Sequence, residues 1–274
     1  MKDASFLEKT GKARLSRYRS CLEKASLRPG EKEIHDLRVS IRRLQSFSDV
    51  AASISGKEPF PARDRKRLKD LMRPLGKLRD AQVKILRLRK IAPTGEEATY
   101  LYALSVRSDA DRWEDRIREI LRDGSRTRFR DRKPSRALAP GSGRNLRERA
   151  RSVLRKLEES VESSREKARD EANVEALHRM RLAFKKYRYS VEILAPLFPS
   201  VTAELLKRLH AFQTLLGDLH DLDVLLEEAE HFRRRVLELQ TESVLESRVR
   251  GIRRREFVRL APYLSSATDL SKRV

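Results

Sequence analysis

The sequence predicts an all-α fold built by duplication, on three observations. The chain is helix-periodic almost throughout, it holds only ten glycines and ten prolines in 274 residues, and a basic helical motif near residue 35 returns near residue 178. No sustained period-2 run bounded by turn signals suggests a strand.

A first helix is expected from about Ala4 to Leu27, ended by Arg28-Pro29-Gly30, and a second from about Lys32 to Ile54, stopped by Ser55-Gly56-Lys57-Glu58-Pro59. A third segment starts near Ala62, and Pro74 and Gly76 lie where it meets a fourth that ends near Ile91. Pro93-Thr94-Gly95 then opens a long helix from about Glu96 to Leu121. Residues 122–143 are basic, contain Gly, Pro and Ser, and are poor in large apolar groups, so they read as a linker or loop. Helices resume near Asn145 to Asp170, Val174 to Leu197, Val201 to Leu216, Leu219 to Gln240 and Glu242 to Leu260. The expected organisation is an N-terminal half (1–121), the linker (122–143) and a C-terminal half (144–274).

The halves match at two places. His35 and His178 are 143 residues apart, while Leu75-Gly76-Lys77-Leu78-Arg79-Asp80 and Leu216-Gly217-Asp218-Leu219-His220-Asp221 are 141 apart. Lys66-Arg67-Leu68 aligns with Lys207-Arg208-Leu209 in the second register. At roughly 100° per residue, His35, Arg38 and Arg42 share one helix face with Arg43 at its flank, and Leu37, Ile41, Leu44 and Phe47 take the other. In the second copy His178, Arg181, Lys185, Lys186 and Arg188 form the stripe, backed by Met180, Phe184, Tyr187, Val191 and Leu194. Duplicated bundles commonly dock about a pseudo-twofold axis, which would bring both stripes to one surface.

With 63 Lys+Arg against 41 Asp+Glu the formal net charge is +22, and 39% apolar content is enough for a buried core. Such a charge attracts polyanions: nucleic acid, an anionic membrane surface or an inorganic phosphate chain. Cys21 is alone, so no intrachain disulfide forms and a reducing compartment fits. No apolar run approaches a membrane span, and Met1 to Glu8 lacks a signal-peptide hydrophobic region, so a soluble cytoplasmic protein is expected.

His, then Arg three residues on, then paired basic residues seven and eight on, resembles the CHAD family, the conserved histidine α-helical domain. The second copy, with Arg188 and Tyr189, is the fuller match; the first has Gln45 where a further basic residue belongs. The Leu-Gly-x-Leu-x-Asp segments are similar to the family's second landmark. The resemblance implies one domain of two pseudo-symmetric four-helix-bundle-like halves around a central basic cavity that binds inorganic polyphosphate, with association to polyphosphate granules. Members often carry a triphosphate-tunnel phosphatase domain; its Glu-x-Glu-x-Lys signature is absent here, the nearest string, Glu31-Lys32-Glu33-Ile34-His35, having His for Lys.

The candidate polyphosphate-binding residues are therefore His35, Arg38, Arg42, Arg43, His178, Arg181, Lys185, Lys186, Arg188 and Tyr189, joined by the in-register Lys66, Arg67, Lys207 and Arg208. Arginine presents a planar fork to phosphate oxygens and lysine a compact charge. Helical spacing repeats these about every 5 Å along an axis, so one helix can meet successive phosphates. His35 and His178 would donate best when protonated, so binding is expected to strengthen as pH falls from about 8 to 6.

Other motifs point elsewhere less strongly. His35-Asp36 has the look of a metal phosphohydrolase dyad, but Arg179 replaces the Asp in the second copy, and neither metal nor cofactor is expected. Gly76 and Gly217 read as a helix junction or close packing, and no phosphate-loop string occurs. Trp113, Tyr100 and Tyr102 read as packing residues, His210 and His231 as structural or solvent-facing, and Arg79 and His220 as partners of Asp80 and Asp221. A nucleic-acid binder is the main alternative, though only Tyr189 offers a stacking platform on a stripe. A phosphate-chain hydrolase or transferase would need metal-holding carboxylates or a nucleophile, for which Asp36 and Asp80 are the nearby candidates. A helical adaptor for an acidic protein is the remaining option; a non-enzymatic polyphosphate scaffold is the leading expectation.

Overall fold

In the computed structural model, which describes residues 6–123 and 143–265, the chain forms eight helices, with no strand among the described residues. They are α1 (Phe6–Leu27), α2 (Glu31–Ser55), α3 (Ala62–Ile91), α4 (Glu97–Asp123), α5 (Gly143–Arg165), α6 (Val174–Leu194), α7 (Ala203–Arg235) and α8 (Val244–Ser265), with single 3-10 turns at Lys167–Arg169 and Ala195–Leu197. Of the expected linker, residues 124–142 lie outside the described residues, as do Ala4 and Ser5; Arg122 and Asp123 continue α4, and Gly143 begins α5.

The helix ends follow local chemistry. Gly56, with φ +70°, closes α2 by giving its N–H to Ala52 O, a left-handed cap that a side chain would strain. Asn173 and Thr202 cap α6 and α7 by accepting from Ala176 N and Leu205 N. Ser243 caps α8: its Oγ accepts from Glu246 N at 3.2 Å and donates to the Glu246 carboxylate at 3.1 Å.

The structure corrects two expected breaks. Pro74 and Gly76 lie inside the continuous α3, and Gly217 inside the continuous α7, because buried Leu71, Leu75 and Leu78 on one and Leu216, Leu219, Leu222 and Leu225 on the other carry an unbroken apolar stripe through them. α7 stops at Arg235, short of Gln240, and α8 runs on to Ser265 through Pro262. Nor are the two glycines packing sites, since a Cβ added to either would meet nothing within 4 Å.

In the first four helices α1 packs on α2 and α3 on α4; in the last four α5 packs on α6 and α7 on α8. The two sets meet where α2 lies on α6 and where α3 and α4 lie on α7. Leu37, Ile41, Leu44 and Phe47 of α2 and Met180, Phe184, Tyr187, Val191 and Leu194 of α6 are all buried, each large apolar side chain contributing about 1.5 to 3 kcal/mol. Their opposite faces are thereby fixed in direction.

Three ties cross between the sets at helix ends. The Glu96 carboxylate accepts from Val244 N (2.7 Å) and Leu245 N (3.3 Å) at the start of α8. Arg149 Nη1 donates to Ile54 O at 3.1 Å, and Arg248 Nη1 to Ile91 O at 3.3 Å. Between α7 and α8, Arg233 and Glu246 form a two-pronged ion pair (2.7 and 3.2 Å) with both side chains buried, and Arg233 Nη1 also donates to Leu239 O at 2.6 Å.

Two stability changes of opposite sign follow, both measurable by denaturant unfolding. Glu246→Ala strands a buried guanidinium and is expected to cost about 3 to 5 kcal/mol. Gly76→Ala and Gly217→Ala, in helix interiors with free space, are each expected to add about 0.5 to 1 kcal/mol.

Candidate anion-binding site

Because α2 and α6 bury their apolar backs and pack on each other, their cationic stripes are brought together. The charges of Arg38 and Arg42 from α2, and of Arg181 and Arg188 from α6, all act on the half-buried Lys185 ammonium. Arg42 acts on Arg181 as well. Arg38, Arg42, Arg181 and Lys185 have no carboxylate within 4.0 Å among the described residues, and the Nε donors of Arg38 and Arg42 are buried without a hydrogen-bond partner. Four like charges from two helices thus stand with no direct counter-ion.

The charged forms suffer accordingly. Burial first, then Arg42, Arg181 and Arg38, pushes Lys185 down to about 7. Burial first, then Arg42, brings Arg38 down to about 10. Burial and Arg42 also lower Arg181, with Asp221 opposing them. His35, exposed at the end of the α2 stripe, is lowered by burial, Arg79 and Arg38, and His220 is pushed down to about 4 by burial, Arg181 and His178. The group poised to titrate near neutrality is therefore Lys185. Both shifts oppose protonation of His35 and His220 in the free protein.

The remaining candidates sort by surroundings. Arg43 (3.8 Å) and Arg188 (3.3 Å) both reach Glu192, as does Arg14 of α1 at 3.7 Å, so this flank is partly neutralised. Arg188 also donates to Gln213 and stacks 4.3 Å from the centroid of the buried Tyr189 ring, which in turn acts on Arg38. Exposed Lys186 acts on Asp49 of α2. His178 and His220 meet with Nδ1 atoms 3.3 Å apart, so His220 contacts a histidine rather than Asp221. Lys66, Lys207 and Arg208 are exposed on α3 and α7, whereas Arg67 lines a separate cleft between α3 and α4.

A cavity of about 490 Å³ between the two sets of helices adjoins the cluster, sharing Arg181 with it. It is not uniformly basic. Cations Lys77, Lys84, Arg112 and Arg181 face carboxylates Asp80, Asp109, Asp221 and Glu228, because both Leu-Gly-x-Leu-x-Asp segments turn their Asp inward. Arg87 bonds Asp218 at 2.8 Å and Asp221 at 3.4 Å, and Lys84 pairs with Glu228, so α3 and α7 are joined by ion pairs beside the site. Arg79, Lys84 and Arg87 carry no signal in the His/Arg/Lys motif; the only pointer to them is their place on the helix that bears the second landmark.

Among the described residues no group of three or more His, Cys, Asp or Glu side chains is placed to hold a metal, and no helix is long and apolar enough to cross a membrane. The model of the CHAD domain matches residues 12–230 of the chain. The crystal structure of the CHAD domain from the plant Ricinus communis has a similar fold, with a TM-score of 0.62 at 19% identity over 98% of this chain and 89% of that one. No curated protein matches significantly.

Lys185 links the cluster to pH. Its folded value of about 7 lies below the unfolded value of about 10.4, so between them the unfolded chain holds more protons and stability rises with pH. Lys185→Met is expected to flatten that rise between pH 7 and 9.5 in the free protein. At pH 7 it is expected to be more stable than the parent, by up to about 4 kcal/mol. Parallel urea titrations of parent and variant check both outcomes.

Proposed function

The chain belongs to the CHAD family, and we propose that it binds inorganic polyphosphate without turning it over. The observation that carries this reading is the α2/α6 cluster: Arg38, Arg42, Arg181 and Lys185, from two packed helices, with no carboxylate in ion-pair range among the described residues. An anion of high linear charge density meets all four at once, its oxygens matched by planar guanidinium forks and one compact ammonium. Arg43 and Arg188, tempered by Glu192, extend the cationic surface at one flank, and Lys186 lies further along α6.

A phosphate chain suits this lining better than nucleic acid does. Tyr189 is buried beneath Arg188, so the stripe presents cations rather than an open aromatic platform. The role is that of a binding scaffold that follows polyphosphate to wherever it accumulates, granules included.

Titration with defined polyphosphates tests the assignment. Arg38→Ala/Arg42→Ala and Arg181→Ala/Lys185→Met are each expected to weaken binding at least about 10-fold while remaining folded. By analogy with nucleic acid strands, each neutralised phosphate should add roughly 0.7 to 0.9 to the log–log salt slope. Two folded variants that bind like the parent would refute the site.

Binding should also take up protons. A bound anion raises the Lys185 value from about 7, so affinity is expected to increase from pH 8 to pH 6. Calorimetry near pH 7.5 in buffers of different ionisation enthalpy should show net uptake that shrinks in Lys185→Met.

A further inference from the structure

A second charged recess lies between the N-terminal turns of α3 and the C-terminal turns of α4, with a volume of about 730 Å³; it shares Trp113 with the cavity beside the cluster. α3 turns Arg63, Arg67, Asp70 and Pro74 into it, at i, i+4, i+7 and i+11. α4 faces them with Trp113, Arg116 and Ile120, at i, i+3 and i+7, and Arg73 stands at the side. Each set occupies one helical face. The size falls within the range of small-molecule sites.

Its chemistry is of three kinds. Four guanidinium groups give it a strong positive bias: Arg63 and Arg73 have no ion-pair partner among the described residues, Arg67 stands 3.7 Å from Asp64, and Arg116 pairs with the exposed Glu119. Trp113, Leu71, Pro74 and Ile120 give it an apolar wall. Asp70 adds acceptors, its carboxylate and its main-chain carbonyl; Pro74 has no N–H, so that carbonyl lacks the usual i+4 donor.

A bare phosphate chain would satisfy the arginines but leave the apolar wall uncovered and set an anion beside Asp70. An apolar molecule would leave the guanidinium groups unmatched. A ligand that meets all three has several negative charges at one end and a planar ring carrying N–H donors at the other. We propose that the α3/α4 cleft is a distinct site for a nucleoside di- or triphosphate, its phosphates on Arg63, Arg67 and Arg116, its base against Trp113, and its exocyclic amine donating to Asp70. Arg67, which pairs in sequence register with Arg208, serves this site rather than the polyphosphate cluster.

Trp113 is the chain's sole tryptophan and lines both this cleft and the cavity beside the cluster, so its emission is read with the polyphosphate cluster disabled. The protein is titrated with ATP, ADP, adenosine and inorganic tripolyphosphate, and binding is checked by calorimetry. In Arg38→Ala/Arg42→Ala, where the polyphosphate cluster is weakened, ATP and ADP are expected to change the emission saturably, whereas adenosine and tripolyphosphate at equal concentration are not. Arg63→Ala/Arg116→Ala, both exposed positions, should raise the nucleotide Kd at least about 10-fold and leave polyphosphate affinity at the α2/α6 cluster unchanged. Trp113→Phe, read by calorimetry, should retain binding. Nucleotide binding is expected to persist in Arg38→Ala/Arg42→Ala, which separates this site from the other. The proposal is overturned if neither method detects nucleotide binding, if tripolyphosphate competes as well as ATP, or if the folded Arg63→Ala/Arg116→Ala binds nucleotide like the parent.

Discussion

The arrangement turns on one conflict, between apolar burial that presses α2 onto α6 and the mutual repulsion of the cations those helices carry. Leu37, Ile41, Leu44 and Phe47 on one helix, and Met180, Phe184, Tyr187, Val191 and Leu194 on the other, can be buried in only one rotational setting. That setting leaves Arg38 and Arg42 facing Arg181 and Lys185. Burial wins because it acts over nine side chains, while the repulsion is confined to a few groups that retain some contact with water. The cost is visible in the cations themselves, since Arg38, Arg181 and Lys185 are all shifted toward their neutral forms.

The protein limits that cost by placing carboxylates unevenly. Glu192 tempers Arg14, Arg43 and Arg188 at one flank, and Asp80 and Asp221 act on Arg38 and Arg181 at another without closing to ion-pair distance. Beside the site, ion pairs through Arg87 and Lys84 join α3 to α7. The result is a graded field, most positive where the two stripe helices touch.

Helical class and the burial of both stripe backs were legible because period 3.6 survives in a single sequence. Helix continuity was not: Pro74 and Gly76 carry the local signature of a break, and only the leucines that pack on either side override it. The cluster's main cations were legible because they repeat. Arg14, Arg79 and Lys84 were not, because position in a fold rather than spacing within a motif brings them near. The inward carboxylates were visible as residues but not as a lining, since Asp80 could equally have been a solvent-facing partner of Arg79. Arg67 is in register with Arg208, yet α4 stands over Arg67 and gives it a neighbourhood that register alone does not reveal.

The ties at the helix ends have a bearing on how any anion would be received. Glu96 on α8, Arg149 on the end of α2 and Arg248 on the end of α3 all hold main-chain groups across the two sets of helices. They act against the outward push of the cluster, so the cationic helices are kept at working separation even when nothing lies between them. Preorganisation of this kind charges the work of assembling like charges to folding, and an arriving chain keeps most of its electrostatic gain as affinity.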